Sequence, residues 1–117
     1  MLIKPIDSNT LRSLINKNEV VIIDVREPVE YAAENIPGAI NIPLAIVSEG
    51  LLPPINDRKL VVHCRSGGRS SQACIKLLAE NPELEIYNLE GGISAWTQTT
   101  DTIEGFGQFC LSKNTKV

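Results

Sequence analysis

The sequence predicts an α/β fold, with a central parallel sheet flanked by helices on both faces. Three short apolar runs carry this prediction: VVIID (20–24), KLVVHC (59–64) and LEIYNL (84–89). A continuous apolar run that is too short for a helix is typical of a parallel strand covered on both faces. Segments with helical spacing separate the runs, and 117 residues suit a single core.

The composition narrows the classes of partner. The chain is 43% hydrophobic and 21% charged, with a net charge of −3 and no clustered Lys/Arg run, so we expect no nucleic-acid partner. No stretch approaches the ~18 apolar residues of a membrane span, and the first ten residues lack signal-peptide character. We therefore expect no membrane partner and a cytoplasmic location.

The cysteine pattern predicts neither a disulfide framework nor a metal site. Cys64, Cys74 and Cys110 are widely spaced, no CxxC pair occurs, and His63 is the only histidine of the sequence. We expect no metal and no cofactor. Cys74 should be a packed helix residue, and Cys110 an incidental cysteine rather than a resolving thiol.

The first half of the chain predicts two helices around the first strong strand. Asp7 or Ser8 can cap a helix that ends near 16–18. Its apolar positions fall on one face and are Leu11, Leu14 and Ile15. After the strand at 20–24, Pro28 suits the first turn of a second helix.

The middle of the chain predicts a turn, a short strand and an irregular stretch. Pro37-Gly38 should form the turn, and a short strand follows around 39–42. Residues 45–57 should be irregular or weakly helical. Asp24 and Arg26 follow the first strong strand, where we expect capping and a local ion pair with Glu27 or Glu30 or, as the alternative, contact of both residues with substrate.

The second half predicts a helix over 70–81 and a strand over 84–89. Gly91-Gly92 then permits a sharp reversal into a short helix that ends near Trp96. Trp96 should anchor this helix in the core.

The loop after the second strong strand, HCRSGGRS (63–70), predicts an anion-binding cradle. Ligands of parallel sheets bind beyond the carboxyl ends of the strands, where Cys64 lies. Gly67 and Gly68 allow backbone N–H groups to turn inward, and the positive end of the next helix adds to them. Such donors, with Arg65 and Arg69, favour a thiolate at Cys64.

The alternative hypothesis for the same loop is that Cys64 is an unreactive, small packing residue and that the glycines only form a turn. The two arginines oppose this reading, because each buried guanidinium needs a partner or water. By strand alternation His63 points to the opposite face, which favours loop support or packing over a role as general base.

Three segments together resemble the rhodanese homology domain: DVREPVEYAAENIPGAINIPL (24–44), HCRSGGRS (63–70) and LEGGISAW (89–96). The resemblance implies a single-domain sulfurtransferase, with the rhodanese-like domain at residues 1–99. It maps the persulfide-forming nucleophile to Cys64 and implies that a loop binds substrate. That loop consists of Arg65, Ser66, Gly67, Gly68 and Arg69. The tail at 100–117 has no counterpart, and we expect it to pack on the domain.

The resemblance implies transfer of a sulfane sulfur from thiosulfate or a persulfide donor to cyanide or a thiol, with a protein persulfide as a further candidate partner. The rival is a cysteine-dependent phosphatase or arsenate reductase, whose loop reads HCxxxxxR. Here four residues, RSGG, separate Cys64 from Arg69, one fewer than in that pattern. The shorter circle of N–H groups suits a single sulfur atom better than a phosphoryl group. A binding module with little turnover is the third reading.

Overall fold

The structure, a computed structural model, describes residues 3–104, and the side chains of residues 3–98. It confirms the predicted α/β fold. Five parallel strands form one sheet in the order β1-β5-β4-β2-β3. The strands are β1 (Ile3–Ile6), β2 (Val20–Asp24), β3 (Ile40–Asn41), β4 (Lys59–His63) and β5 (Ile86–Leu89). The helices are α1 (Ser8–Asn16), α2 (Pro28–Ala33), α3 (Gly68–Glu80) and α4 (Gly92–Glu104).

Helices cover both faces of the sheet, as predicted. On β4, Leu60 and Val62 join the core cluster that contains the α3 residues, whereas Val61 joins the cluster that contains α1 and α4 residues. This alternation is the period of two that a strand imposes on its side chains. The central strands are apolar on both faces because each face packs against helices.

The central pair of strands brings their carboxyl ends to the same edge of the sheet. The register aligns Asp24 of β2 with His63 of β4. Polar and reactive side chains that follow these strands therefore lie close together at this edge. Cys64 is the first of them, directly after β4.

The first strand, β1, is an element that the sequence reading missed. Lys4 and Pro5 interrupt the apolar pattern of this short segment, and its two middle residues are exposed. As the outermost strand it pairs only with β5, and an edge position tolerates a proline.

The predicted cap of the first helix is confirmed, and two other helix boundaries need correction. Asp7 caps α1, because its side chain accepts a 2.7 Å hydrogen bond from the Thr10 N–H. Helix α3 begins at Gly68, two residues before the predicted start, so Arg69 belongs to its first turn. Helix α4 does not end near Trp96 but continues to Glu104. The tail prediction from residue 105 onward lies outside the described residues.

The remaining expectations for the core hold. Trp96 is buried beside Ile93 in the cluster on the α1 side, as an anchor for α4. The stretch 45–57 is irregular apart from a short 3₁₀ turn at Glu49–Leu51. Among residues 3–104, no helix combines the length and apolar character needed to cross a membrane.

Candidate active site

The loop between β4 and α3 carries the candidate nucleophile, and α4 holds its backbone in place. The Ile93 N–H donates to the Cys64 carbonyl at 3.0 Å, and the Ser94 N–H donates to the Arg65 carbonyl at 3.2 Å. These are amides of the first turn of α4, which have no partner within their own helix. The start of α4 thus binds and fixes the two carbonyls of the loop.

The Cys64 thiol lies beneath the loop, with only 1% of the residue exposed. Its Sγ accepts a hydrogen bond from the Gly67 N–H at 3.1 Å and lies 3.5 Å from the Ser70 Oγ. The predicted inward-turned amide is therefore seen at Gly67. Besides the Ser70 hydroxyl, three backbone N–H groups are close enough to stabilise a thiolate at this sulfur, those of Ser66, Gly67 and Ser70.

Burial and hydrogen bonding act in opposite directions on the pKa of Cys64. Burial is the largest single influence and raises the pKa. The Ser70 hydroxyl and the N–H groups of Ser70, Gly67 and Ser66 lower it. Together the donors prevail, so the net pKa of the thiol lies below its ordinary value and the thiolate is favoured.

Two glycines are required by the shape of this site. Gly67 has a φ of +122°, a conformation that residues with a Cβ rarely adopt, and it lets the chain turn into α3. Gly92 has a φ of +58°, and a Cβ there would lie 2.5 Å from both the Cys64 carbonyl oxygen and the Arg65 carbonyl carbon. Gly92 therefore allows α4 to approach the loop backbone.

The two arginines of the loop occupy different surroundings. Arg69 forms a two-pronged ion pair with Glu30 of α2, with Nη1 and Nη2 at 2.8 and 3.0 Å from the carboxylate oxygens. This partner was not predicted, and it ties the first turn of α3 to α2. Arg65 is exposed and lines an open cleft of about 410 Å³ between α2 and α4.

Asp24 and Arg26 form a buried structural pair. Arg26 is 3% exposed, and its Nη2 lies 2.7 Å from the Asp24 Oδ2. The same Nη2 donates to the Glu34 carbonyl at 2.7 Å. The predicted ion pair with Glu27 or Glu30 is wrong, because the bend after β2 turns Arg26 back onto Asp24.

His63 lies on the face of the sheet opposite Cys64, as its place in the strand predicts. Its Nε2 is 3.6 Å from the Asp24 Oδ2, and its Nδ1 is 3.2 Å from the Cys64 carbonyl oxygen. Burial lowers the pKa of His63, although the charge of Asp24 raises it. The imidazole supports the loop backbone and does not face the thiol.

Cys74 is a packed residue of α3, as predicted. It is fully buried in the core, and burial together with the charge of Cys64 raises its pKa to about 12. Cys64 and Cys74 are both free thiols. Cys110 lies outside the described residues. Among the described residues, no group of three His, Cys, Asp or Glu side chains could hold a metal ion.

The sequence reading did not single out Asn88, and it named Glu30 only as a partner for Arg26 and not for Arg69. Asn88 is the residue before the end of β5, and its amide contacts the side chains of Ser70 and Ser71. The rule that sites form at the carboxyl ends of parallel strands pointed to this position. Glu30 carried no such signal, because its pairing depends on how α2 packs beside α3.

Comparison with known proteins gives the family. The family described as Rhodanese-like domain matches residues 7–99. A sulfurtransferase from Allochromatium vinosum is 36% identical over 98 residues, which cover 83% of this chain and 91% of that protein. The thiosulfate sulfurtransferase GlpE of Pseudoalteromonas translucida is 31% identical, with coverage of 82% and 90%.

Solved structures agree on the fold. The human single-domain sulfurtransferase TSTD1 superposes with a TM-score of 0.68 at 27% identity, covering 80% of this chain and 95% of that one. A Rhodopseudomonas palustris protein of unknown function, described as a possible tyrosine phosphatase, gives 0.67 at 28% identity, with coverage of 84% and 82%. By the extent of the family match and by its likeness to relatives of nearly the same length, the chain belongs to the rhodanese-like domain family.

Proposed function

We propose that this chain is a sulfurtransferase that carries a sulfane sulfur as a persulfide on Cys64. Its donor is thiosulfate or a persulfide, and its acceptor is a thiol or cyanide. The observation that carries the proposal is a buried Sγ that accepts a hydrogen bond from the Gly67 N–H at 3.1 Å and lies 3.5 Å from the Ser70 hydroxyl. The family match and the relatives named as sulfurtransferases support it.

The first half-reaction loads the cysteine. The Cys64 thiolate attacks the outer sulfur of thiosulfate, and a new S–S bond forms to Sγ. The bond between the outer sulfur and the sulfonate sulfur breaks, and its electron pair leaves with sulfite. Sulfite is a stable anion, so the step needs no general acid, and none is assigned.

The second half-reaction transfers the outer sulfur from the Cys64 persulfide to the acceptor. The acceptor attacks the outer sulfur of the persulfide, and the S–S bond breaks with its electron pair returning to Sγ as the thiolate. Between the two steps the outer sulfur carries the negative charge. N–H groups of the 65–69 loop are placed to stabilise that charge, as an oxyanion hole stabilises oxygen.

The roles of the two loop arginines follow from their partners. Arg65 is exposed beside the cleft and is placed to attract an anionic donor. Arg69 is held by Glu30, so it orients the loop instead of meeting the donor directly. Ser66, Gly67 and Gly68 contribute the backbone of the cradle. A protein persulfide remains a candidate donor, and the cleft lies open to one.

Replacing the nucleophile tests the proposal. Cys64→Ser should abolish sulfur transfer from thiosulfate to cyanide, because an alcohol of ordinary pKa does not attack the outer sulfur. Cys74→Ala is the matched control, since Cys74 is buried and its pKa is raised to about 12. Thiocyanate formation is measured in both variants, with circular dichroism to verify folding.

Turnover retained by Cys64→Ser would rule out this nucleophile. Hydrolysis of an aryl phosphate by the wild-type chain, without thiocyanate formation, would favour the phosphatase reading. A wild-type chain active in neither assay would favour a binding module.

A further inference from the structure

Asn88 is linked to the nucleophile through the side chains of two serines. Its Oδ1 accepts a hydrogen bond from the Ser70 hydroxyl at 2.6 Å, and its Nδ2 donates to the Ser71 Oγ at 2.9 Å. Ser70 is fully buried and lies 3.5 Å from the Cys64 Sγ. Asn88 belongs to β5 and both serines belong to α3, so the link joins a strand to the active-site helix.

When Cys64 is a neutral thiol, each group of this link donates a hydrogen bond to the next one, starting from the thiol. The thiol donates to the Ser70 Oγ, and Ser70 donates to the Asn88 oxygen. The Asn88 amide donates to Ser71, and Ser71 donates to the Gly67 carbonyl at 2.9 Å. In this arrangement the single hydroxyl hydrogen of Ser70 is directed to the Asn88 oxygen at 2.6 Å, with the Gly67 carbonyl as a second acceptor at 3.0 Å, and it is turned away from the sulfur.

The thiolate needs the opposite arrangement. Once the thiol proton has left to solvent, Sγ can only accept, and the Ser70 hydroxyl must turn toward it. Ser70 then needs a donor in place of an acceptor at Asn88. Rotation of the side-chain amide exchanges its oxygen and its NH₂ group, which have nearly the same shape. The Nδ2 then donates to Ser70, and the Oδ1 accepts from Ser71.

Every group remains satisfied after this reversal. The Gly67 carbonyl loses its contacts with the hydroxyls of Ser70 and Ser71 but keeps the Ser71 backbone N–H at 3.1 Å. No proton moves between residues, because only the two hydroxyls and the amide rotate. An amide is the side chain that permits both arrangements, whereas a carboxylate accepts only and an aliphatic group does neither.

We propose that Asn88 is a positioning residue whose amide sets the direction of the Ser70 hydroxyl and thereby stabilises the Cys64 thiolate. The inference deepens the proposed function, because it names the residue that adapts the site to the charge of its nucleophile. It concerns the thiolate alone, so it is testable without any sulfur transfer.

Asn88→Asp tests the proposal with almost no change of shape. A carboxylate holds the Ser70 hydrogen permanently, so the thiolate should lose a donor and the pKa of Cys64 should rise by about one unit, a tenfold loss of thiolate below that pKa. The readout is the pH dependence of iodoacetamide alkylation, measured at Cys64 by peptide mass spectrometry. Asn81→Asp, at the far end of α3, controls for the added charge and should leave the profile unchanged.

A double-mutant cycle separates positioning from direct charge repulsion. Ser70→Ala alone should raise the pKa of Cys64, and adding Asn88→Asp to it should raise the pKa no further. If alkylation profiles of the wild type and Asn88→Asp coincide, or if the shift persists undiminished beside Ser70→Ala, the proposal is overturned. Should Asn88→Asp fail to fold, Asn88→Leu takes its place. It removes the amide donor from Ser70 and leaves the Gly67 carbonyl, 3.0 Å away, to accept the Ser70 hydrogen, so the pKa of Cys64 should again rise, and the rise should vanish beside Ser70→Ala. The absence of a rise, or a rise that persists beside Ser70→Ala, overturns the proposal.

Persulfide formation on the wild type is measured separately. A chain that shows the predicted cycle but gains no sulfur would contradict the proposed function and leave the role of Asn88 intact. A chain that gains sulfur without the cycle would do the reverse.

Discussion

At the scale of single residues, the reactivity of Cys64 is a balance of two large effects. The residue is 1% exposed, and burial alone would keep a thiol protonated. The nearby Ser70 hydroxyl and the hydrogen bond from Gly67 outweigh burial and hold the pKa of the thiol below its ordinary value. Cys74 shows the other outcome on the same chain: it is buried without such donors, and its pKa rises to about 12.

The charge of Arg65 should matter for binding and not for the chemical step. Arg65→Ala should raise the KM for thiosulfate several-fold, roughly two- to tenfold, and leave kcat nearly unchanged, because an exposed cation steers an anionic donor. The effect should shrink at high salt. Steady-state kinetics at two ionic strengths measures both. An equal effect on an uncharged persulfide donor would remove this role from Arg65, and Arg65→Lys should restore most of the affinity.

The candidate nucleophile and its loop could be predicted because their residue types and order are visible in the sequence. A cysteine after a buried strand, followed by two glycines, indicated Cys64 and its loop without coordinates. The partners of Arg26 and Arg69 could not be predicted in this way. They depend on a backbone bend after β2 and on the packing of α2 beside α3, which no local spacing records.

At the scale of elements, the start of α4 works as a clamp on the active-site loop. Its free N–H groups bind the carbonyls of Cys64 and Arg65, and this contact needs the missing side chain of Gly92. The glycine pair at 91–92 is therefore more than a turn signal. Its lack of side chains allows α4 to approach the backbone of the loop that carries Cys64 and Arg65.

Gly92→Ala should displace the loop. The new Cβ would lie 2.5 Å from the Cys64 carbonyl oxygen, and the φ of +58° is strained for alanine. We expect sulfur transfer to fall more than tenfold and the free energy of unfolding to fall by about 1–3 kcal/mol. Gly50→Ala is the control, because nothing lies within 4 Å of its Cβ position. Denaturant unfolding and thiocyanate formation are measured for both. Wild-type behaviour of Gly92→Ala in both assays would contradict the clamp.

The positions of strands with a continuous apolar run could be predicted from the sequence. The positions of elements that depend on tertiary contacts could not. Strands β2 and β4 appear where continuous β-branched runs predict them. Strand β1 was missed, because it gains its place only by pairing with β5 at the edge of the sheet. The length of α4 was underestimated, since the polar run after Trp96 gave no reason to extend the helix.

At the scale of the whole molecule, the parallel sheet gathers the site at one edge. The order β1-β5-β4-β2-β3 places β4 between β5 and β2. Cys64 at the end of β4 is therefore flanked by Asn88 on β5 and, across the sheet, by the Asp24–His63 contact on β2 and β4. The strand order thus places the polar side chain of Asn88 on one side of the thiol and the Asp24–His63 contact, which supports the loop, on the other.

The fold and the family could be predicted from the sequence, because three separated segments resemble the rhodanese homology domain and occur in the same order as in that family. The donor and acceptor were not, because the cleft beside Arg65 is open and its lining mixes both charges. The cytoplasmic location and the packing of the tail stay predictions. The central claim is narrower than these: Cys64 takes up one sulfur atom.

The mass of the intact protein after incubation with thiosulfate tests that claim most directly. We expect a gain of one sulfur atom, located on Cys64 by peptide mapping and removed by cyanide or a thiol. An unchanged mass, or a sulfur found on Cys74 in place of Cys64, would contradict it.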